Sequence, residues 1–330
     1  MSDGMKRRTL GRTGLRVSVM GLGGGGDSRL GQARSDEAAA VRLIRTALHA
    51  GVNFIDTAEA YGTEEVIGKA LRQVPRDQVV LSTKKTTFRG GGVAIGGNGA
   101  TSPADAELRI EPADVVRSLE ESLRRLGTDY VDVYHLHGVR PAAYTDLRDR
   151  LAPTLLHLRA QGKIRFLGIT EAFAVDPNHR MLEQALADDL WDVVMVGFNI
   201  LNQSARKTVF PRAIERRVGT LVMFAVRRAL SRPDRLREVL AELATRGKLP
   251  AEDAEKGLDF LLREGVAGSI PDAAYRFCQD EPGVHVVLSG TGSHEHLTEN
   301  IRALSGPSLP SRERRRLTAL FDRVDDVSGI

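Results

Sequence analysis

Four side chains of this 330-residue chain could together carry out acid–base chemistry. Asp56 closes the apolar run NFID, Tyr61 follows five residues later, and Lys84 and His137 end the runs VVLSTK and VDVYHLH. A free tyrosine with a pKa of about 10 is a poor acid at neutral pH, and a neighbouring lysine ammonium would lower that pKa. An aspartate would orient the lysine, and a histidine could hydrogen-bond to the same substrate oxygen. The set therefore suits proton transfer to a carbonyl.

The elements that must position these residues are short apolar runs separated by amphipathic segments. The runs are rich in Val, Ile and Leu and nearly continuous, as is typical of strands covered on both faces. Helical patterns lie between them, and the initial KRRTLGRTGLRVS predicts a β-hairpin. We predict an α/β fold, a (β/α)8 TIM barrel forming one domain over 1–330. The predicted strands are 17–23, 53–56, 79–84, 131–137, 164–169, 192–198, 220–226 and 284–290, and clear helices are 35–51, 111–127 and 293–306.

Two insertions are expected to shape the site. A Gly-rich segment, 86–110, follows the third predicted strand, and a charged helical stretch, 232–264, follows the seventh. In such barrels the loops after the C-terminal ends of the strands build the active site. Asp56, Lys84 and His137 all stand at such ends, so we expect them at one mouth.

Each of these residues has a simpler interpretation when taken alone. Asp56 could cap the next helix, Lys84 could be a solvated loop charge, and His137 could be a structural histidine. Their coincidence at successive strand ends favours catalysis. Strand alternation places Lys84 on the face of Ser82 and turns Lys85 to the other face.

Alternation also places His135 on the inward face of His137. We predict that His135 is buried, neutral and bonded to Ser82, a backbone carbonyl or an enclosed water. A metal pair is conceivable, but no third ligand is evident nearby, so we predict no metal site.

The glycine-rich run GLGGGG (21–26) fits the pattern G-x-G-x-x-G. A dinucleotide fold of the Rossmann type also needs an acid about 20 residues later at the end of a second strand. The next acid at a strand end is Asp56, which is too far along the chain. A loop at the barrel mouth is therefore favoured over a phosphate cradle.

Composition excludes several other classes of protein. The net charge of +4 comes from arginines mixed with glutamates at helical spacing, which predicts solvated helix faces and no nucleic-acid binding. No run approaches the roughly 18 apolar residues of a membrane span, and the N-terminus lacks a signal-peptide core. The single Cys278 excludes a disulfide framework. We expect a cytoplasmic protein.

The chain resembles the aldo-keto reductase family from RTLGRTGLRVSVMGLG to SHEHLTEN, with NFIDTAEAYGTEEVIGKAL as its most specific segment and LSTKK and DYVDVYHLH as further matches. The resemblance implies NAD(P)H-dependent reduction of an aldehyde or ketone, or oxidation of the corresponding alcohol or sugar. Hydride would leave C4 of the nicotinamide while Tyr61 gives its proton to the oxygen. Asp56, Tyr61, Lys84 and His137 would form the catalytic tetrad, and the partner is a small-molecule carbonyl or alcohol.

The resemblance also implies cofactor contacts around the barrel mouth. Glu171 and Met195 stand where the family has an asparagine and a glutamine, and Gly290 and His296 where it has cations for a 2′-phosphate. NADPH is expected, with NADH as the alternative, and Arg227, Arg228 or Arg302 could supply charge. One implied contact is residue 22, the leucine of GLGGGG (Leu22). The others are Thr170, Glu171, Asn199, Phe224, Gly290, Thr291, Gly292, His296, Glu299 and Asn300.

Two competing functions remain open from the sequence. A noncatalytic nucleotide-binding or regulatory member of the same family would keep the fold without turnover. A metal-dependent barrel hydrolase would use His135, His137 and Asp56 as ligands.

Overall fold

A hairpin closes the base of the barrel. The computed structural model of the chain describes residues 4–26, 30–31, 36–87 and 110–329. Strands β1 (Arg7–Thr9) and β2 (Arg16–Ser18) pair antiparallel, which confirms the predicted hairpin. Leu10, at its tip, is fully buried against residues of the barrel interior. The first predicted barrel strand, 17–23, is therefore divided between β2 and β3.

Eight parallel strands close a barrel in the order β10-β3-β4-β5-β6-β7-β8-β9, which confirms the predicted fold. Each strand is short and buried, as their continuous apolar patterns predict. A register shift between Leu136 and Val139 marks the end of β6. The barrel strands are β3 (Met20–Gly23), β4 (Phe54–Asp56), β5 (Val80–Thr86), β6 (Val131–Val139), β7 (Ile164–Glu171), β8 (Val193–Gly197), β9 (Gly219–Met223) and β10 (Val286–Ser289).

Helices surround the barrel and end where the sequence supplies caps. In α3, Glu111 and Asp114 form a reciprocal capping box, Pro112 is the first residue, and Gly127 ends the helix with φ of 67°. The helices of the described residues are α1 (Glu37–His49), α2 (Glu64–Leu71), α3 (Pro112–Leu126), α4 (Tyr144–Ala160), α5 (Arg180–Ala187), α6 (Ala205–Thr208), α7 (Phe210–Glu215), α8 (Arg228–Ser231), α9 (Pro233–Thr245), α10 (Ala251–Lys256), α11 (Ile270–Gln279), α12 (His294–Ser305) and α13 (Ser311–Leu320).

Two separate apolar layers hold the fold together. One fills the barrel and includes Phe54, Val80 and Val133. The other, between strands and helices, includes Leu43, Leu119 and many other aliphatic side chains. Alternation along each strand produces both layers, and the polar positions at the strand ends are left for the mouth.

The two insertions differ in what can be described. The stretch after β9 forms α8, α9 and α10, as the charged helical pattern predicts. Of the Gly-rich segment after β5, residues 88–109 lie outside the described residues. Among the described helices, none is both long and apolar enough to cross a membrane.

Candidate active site

A buried ion pair stands at the centre of the mouth. Asp56 ends β4, Lys84 lies near the end of β5, and Asp56 Oδ2 is 2.6 Å from Lys84 Nζ. The ammonium also donates to the carbonyl of Thr57 at 2.6 Å, and Ser82 Oγ donates to Asp56 Oδ1 at 2.7 Å. Lys84 is fully buried and Asp56 is 3% exposed. Two further hydrogen bonds, to Thr57 and from Ser82, therefore hold the pair in place.

Burial acts on both members of this pair. It raises the pKa of Asp56 and lowers the pKa of Lys84, since each charged form loses hydration. The attraction between the two charges opposes both shifts. Removing either residue would leave the other charge buried without a partner, which strongly destabilises a protein.

Tyr61 and His137 meet above this ion pair. Tyr61 closes a short 3-10 turn, Glu59–Tyr61, and Gly62 follows it with φ of 71°. Tyr61 Oη lies 3.3 Å from His137 Nε2, and the two rings meet edge to face at 85°. Lys84 Nζ is 5.1 Å from the centre of the Tyr61 ring. The structure thus brings all four residues of the implied tetrad together.

The phenol and the imidazole are both neutral here. Burial and the charge of Asp56 raise the pKa of Tyr61, which is opposite to the direction expected from a neighbouring lysine. Burial, helped by the charge of Lys84, lowers the pKa of His137 to about 3. A protonated phenol beside a neutral imidazole can donate a proton to a bound oxygen.

Lys85 lies on the opposite face of β5. Its Nζ is 3.0 Å from Glu59 Oε1, outside the barrel interior. Alternation along β5 separates it from Lys84, which reaches inward to Asp56.

His135 is buried one layer below the mouth, as the sequence predicts. Of the three partners expected for its ring, Ser82 is wrong, because the Ser82 hydroxyl donates to the stronger acceptor Asp56. Among the described residues, neither ring nitrogen makes a well-formed hydrogen bond, although the backbone of Ile169 lies close enough to oppose the lowering of its pKa. The ring packs against Gly168, where a Cβ would lie 2.2 Å from Nδ1. No cluster of three metal-binding side chains was found in the described part of the chain.

The neighbouring side of the mouth, at β7 and β8, is organised differently. Thr170 Oγ1 accepts a hydrogen bond from the Gly138 N–H at 2.7 Å, which leaves its own hydrogen to donate. Glu171 accepts from the Gly197 N–H at 2.7 Å and contacts His179 Nδ1 at 2.9 Å. Glu171 is thus engaged within the protein, at the position where the family resemblance implies a cofactor contact.

A column of rings follows Glu171 across the mouth. The Phe173 ring stacks on His179 at 5.6 Å and on Phe224 at 6.1 Å between ring centres. The guanidinium of Arg227 lies 3.7 Å from the centre of the Phe224 ring. Phe173 fits only because Gly197 has no side chain, since a Cβ there would lie 2.4 Å from the Phe173 ring.

Phe224 and Asn199 lie where β8 and β9 leave the barrel. Phe224 has φ of 67°, which a bulky residue adopts only where its surroundings enforce it. Asn199 Nδ2 donates to the Phe224 carbonyl at 3.3 Å, and its Oδ1 accepts from Leu201 and Asn202 N–H groups. Asn199 therefore shapes the loop, and β9 ends before the predicted strand end of 226.

Glycines follow the paired strands β10 and β3 at their C-terminal ends. A Cβ on Gly290 would lie 3.4 Å from the carbonyl oxygens of both Gly23 and Gly25. Leu22, by contrast, is 1% exposed in the outer apolar core, so the glycines beside it face the mouth instead. Helix α12 begins shortly after these glycines, with the Ser293 side chain accepting from the His296 N–H.

The remaining implied contacts lie around the start of α12. Thr291 Oγ1 accepts from the Ser293 N–H at 3.0 Å, next to Gly292. Asn300 is 9% exposed and donates to Ser289 Oγ, so it faces the end of β10. His296 and Glu299 are exposed on the same helix.

A nicotinamide dinucleotide fits one end of this mouth better than the other. Glycine-lined backbone leading into a helix N-terminus suits phosphate groups, and the Thr170 hydroxyl can donate to a carboxamide. Glu171 fits poorly as a carboxamide ligand, because a carboxylate cannot donate to the carboxamide oxygen as an asparagine amide does, and it already accepts from His179 and Gly197.

Three residues that shape the mouth were missed by sequence reasoning. Glu59 stands two residues before Tyr61, and Phe173 and His179 lie in the loop after β7. The available signals were the acid inside NFIDTAEAYG and the histidine of DPNHR.

Comparison with known proteins decides the family. A model of the aldo/keto reductase family matches residues 19–322. The chain belongs to the aldo/keto reductase family. The barrel strands and the implied tetrad lie within the matched range, and the hairpin directly precedes it.

Several bacterial proteins match almost the whole chain. The NADH-specific methylglyoxal reductase of Escherichia coli (strain K12) is 28% identical over 320 residues, covering 91% of this chain and 94% of the relative. Aldo-keto reductase YhdN of Bacillus subtilis (strain 168) is 26% identical, with 98% and 96% covered. The holo form of aldo-keto reductase AKR11C1 from Bacillus halodurans superposes with a TM-score of 0.71 at 26% identity over 96% of both chains.

Proposed function

We propose that this single barrel domain is a nicotinamide-dependent carbonyl reductase acting on a small aldehyde or ketone, or oxidising the corresponding alcohol or sugar. The observation that carries the proposal is the contact between Tyr61 Oη and His137 Nε2, at 3.3 Å, above a lysine held by Asp56. A substrate oxygen placed between these two side chains would meet a proton donor and a neutral imidazole together.

The chain's own residues divide the work of proton transfer. When bound, the nicotinamide supplies hydride from its C4 to the carbonyl carbon. Tyr61 gives its proton to the carbonyl oxygen, and His137 orients that oxygen by a hydrogen bond. The Lys84 ammonium stabilises the phenolate that remains, and Asp56 keeps Lys84 aligned. Oxidation of an alcohol uses the same residues in reverse.

The residues proposed to hold the cofactor favour NADH over the NADPH that the resemblance implies. Gly290 and His296 stand at the positions where fixed cations would bind a 2′-phosphate. The first turn of α12 carries Glu295 and no lysine or arginine. The Escherichia coli relative is named as NADH-specific. Thr170, Gly290, Thr291 and Gly292 would contact the dinucleotide with either cofactor.

A carbonyl and alcohol panel assayed with NADH and NADPH tests the proposal. Methylglyoxal is the first substrate to include, because it is named for the Escherichia coli relative. Tyr61→Phe is expected to lower turnover about 10²–10⁴-fold, since it removes only the proton donor. Cofactor affinity, measured by fluorescence titration, is expected to stay within about twofold, because the phenol oxygen is not proposed to hold the dinucleotide.

Tyr130→Phe is the matched control. Tyr130 lies under Arg76 at 4.0 Å, away from the mouth, so its hydroxyl has no part in turnover. Near-normal turnover by Tyr61→Phe would end the catalytic assignment. Tight cofactor binding without turnover of any carbonyl or alcohol would favour the noncatalytic nucleotide-binding alternative.

A further inference from the structure

Glu59 lies in the turn that carries Tyr61, but its side chain points to other elements. It is the first residue of the turn, two positions before the phenol. Glu59 Oε1 accepts from Lys85 Nζ at 3.0 Å and from the Thr86 N–H at 2.8 Å, both on β5. Its Oε2 accepts from Ser118 Oγ on α3. One carboxylate therefore ties the turn to a barrel strand and to a helix.

This anchor is itself set in a rigid part of the molecule. Ser118 is 4% exposed, and its hydroxyl also accepts from the fully buried Tyr134 at 3.2 Å. The side chains of Glu59 and Lys85 are only 19% and 17% exposed. Water therefore competes weakly for these hydrogen bonds, and charge-assisted bonds of this kind are stronger than neutral ones.

The turn has few other constraints on the side of the phenol. Within the turn the Tyr61 N–H donates to the Ala58 carbonyl at 3.0 Å. The backbone of Gly25 packs closely against the Tyr61 ring, because a side chain at this position would place its Cβ 2.8 Å from Tyr61 Cε2. Burial and the charge of Asp56 raise the pKa of Tyr61.

We propose that Glu59 is a positioning residue for Tyr61: its carboxylate, held by Lys85, Thr86 and Ser118, fixes the turn that sets the phenol against His137. The inference rests on the proposed function, in which Tyr61 is the proton donor. Proton transfer depends steeply on placement, and a displacement of about 1 Å can cost about 100-fold in rate. The side chain of Glu59 bonds to Lys85, Thr86 and Ser118 and not to the Tyr61 hydroxyl, so the proposed role is positioning.

Glu59→Ala and Glu59→Gln provide the test. Glu59→Ala is expected to lower kcat about 10- to 100-fold, while KM and the cofactor Kd stay within about twofold. The solvent deuterium isotope effect on kcat should be larger in Glu59→Ala than in the wild type, because proton transfer then limits the rate. Glu59→Gln keeps one acceptor oxygen, which can serve the Thr86 N–H, and places an amide NH2 that can donate to Ser118 Oγ, so it should recover part of the rate. Lys85→Met, which removes one of three donors, should cost less than about fivefold.

Glu37→Ala is the matched control. It removes an ion pair between elements, Lys69 Nζ to Glu37 at 2.9 Å, far from the tetrad. Thermal unfolding is followed for every variant. Glu59→Ala with wild-type kcat, or with a lowered Tm and unchanged kcat, would overturn the proposal.

A measurement independent of turnover separates this proposal from the proposed function. In protein labelled at tyrosine ¹³Cζ, assigned through Tyr61→Phe, the Tyr61 signal should shift or broaden in Glu59→Ala and stay in place in Glu37→Ala. An unmoved signal would overturn the positioning role even if no substrate is found. Loss of turnover in Tyr61→Phe with a fully active Glu59→Ala would overturn the positioning role alone.

Discussion

The two sides of the barrel mouth hold their charges in different ways. On the side of β4 and β5, Asp56 and Lys84 point into the barrel and bond to each other at 2.6 Å. On the side of β7 and β8, Glu171 follows the inward Thr170 and bonds to His179, which comes from the loop before α5. Both acids are nearly fully buried. Only the first pair lies beside the phenol.

The difference shows what each buried charge can do. Lys84 has its charge directed at the Tyr61 ring, so the pair can respond to a phenolate. Glu171 is enclosed by His179 and the Gly197 N–H, with the Phe173 ring stacked on His179. The first pair is suited to chemistry and the second to holding a loop against the barrel.

Lys84→Met should have the largest effect, because it strikes both chemistry and stability. Removing the ammonium leaves Asp56 buried and uncompensated, which typically costs about 3–5 kcal/mol of unfolding free energy. Turnover should fall by about 10² or more, since the phenolate loses its stabilising charge. Urea unfolding and kcat with saturating cofactor measure the two losses.

Lys85→Met supplies the control for strand register. Lys85 lies on the outer face of β5 and bonds to Glu59, so only the small indirect effect on the Tyr61 turn is expected. Equal losses in the two lysine variants would contradict the assignment of Lys84 to the interior site.

Glu171→Ala should separate the two sides of the mouth. It leaves His179 Nδ1 and the Gly197 N–H buried without their acceptor, so the free energy of unfolding should fall by about 1–3 kcal/mol for each unsatisfied group. The cofactor Kd should change by less than about threefold, because Oε1 of Glu171 accepts from the Gly197 N–H and Oε2 contacts His179. Urea unfolding and a cofactor titration by fluorescence measure these two quantities.

Glu281→Ala is matched to it, since Glu281 is another buried acid, bonded to Arg206 at 2.7 Å, below the opposite end of the barrel. A loss of cofactor affinity above tenfold in Glu171→Ala, with stability retained, would restore the cofactor contact that the family resemblance implies.

The same contrast explains which parts of the fold and the site could be predicted from the sequence. Hydrophobic runs with period-two alternation determine which residues of a strand face inward, so the barrel and the placement of Lys84 followed from the pattern. Glu171 was harder, because its partner His179 reaches it through a loop whose path depends on tertiary packing. His179 has φ of 62°, a backbone state that local sequence does not announce for histidine.

Other differences have equally local causes. Phe224 leaves β9 with positive φ, so the strand ends earlier than its apolar run. Ser82 could donate to either His135 or Asp56, and the sequence does not rank two acceptors that alternation places nearby. A carboxylate is the stronger acceptor, and the structure has the bond to Asp56.

His135→Leu should have the smallest effect on activity and a measurable one on stability. The imidazole is fully buried, and its ring nitrogens make no well-formed hydrogen bond among the described residues. An unsatisfied buried polar group costs about 1–3 kcal/mol, so an apolar replacement should raise the unfolding free energy at pH 8 by up to about that amount. Turnover should stay within about threefold, because the ring lies below the mouth.

The pH dependence of the free energy of unfolding tests whether the buried His135 ring causes this stability difference. Burial lowers its pKa well below 6.5, so the folded state keeps the ring neutral while the unfolded chain takes up a proton below about pH 6.5. The unfolded state is therefore increasingly favoured as the pH falls below about 6.5, and the fold loses stability. His135→Leu should therefore flatten the decline by up to about 1.4 kcal/mol per pH unit between pH 6 and 4. Urea unfolding across this range measures it, with the exposed His157→Leu as control. A constant gap between variant and wild type would show that His135 is solvated, and its inward register on β6 would then be wrong.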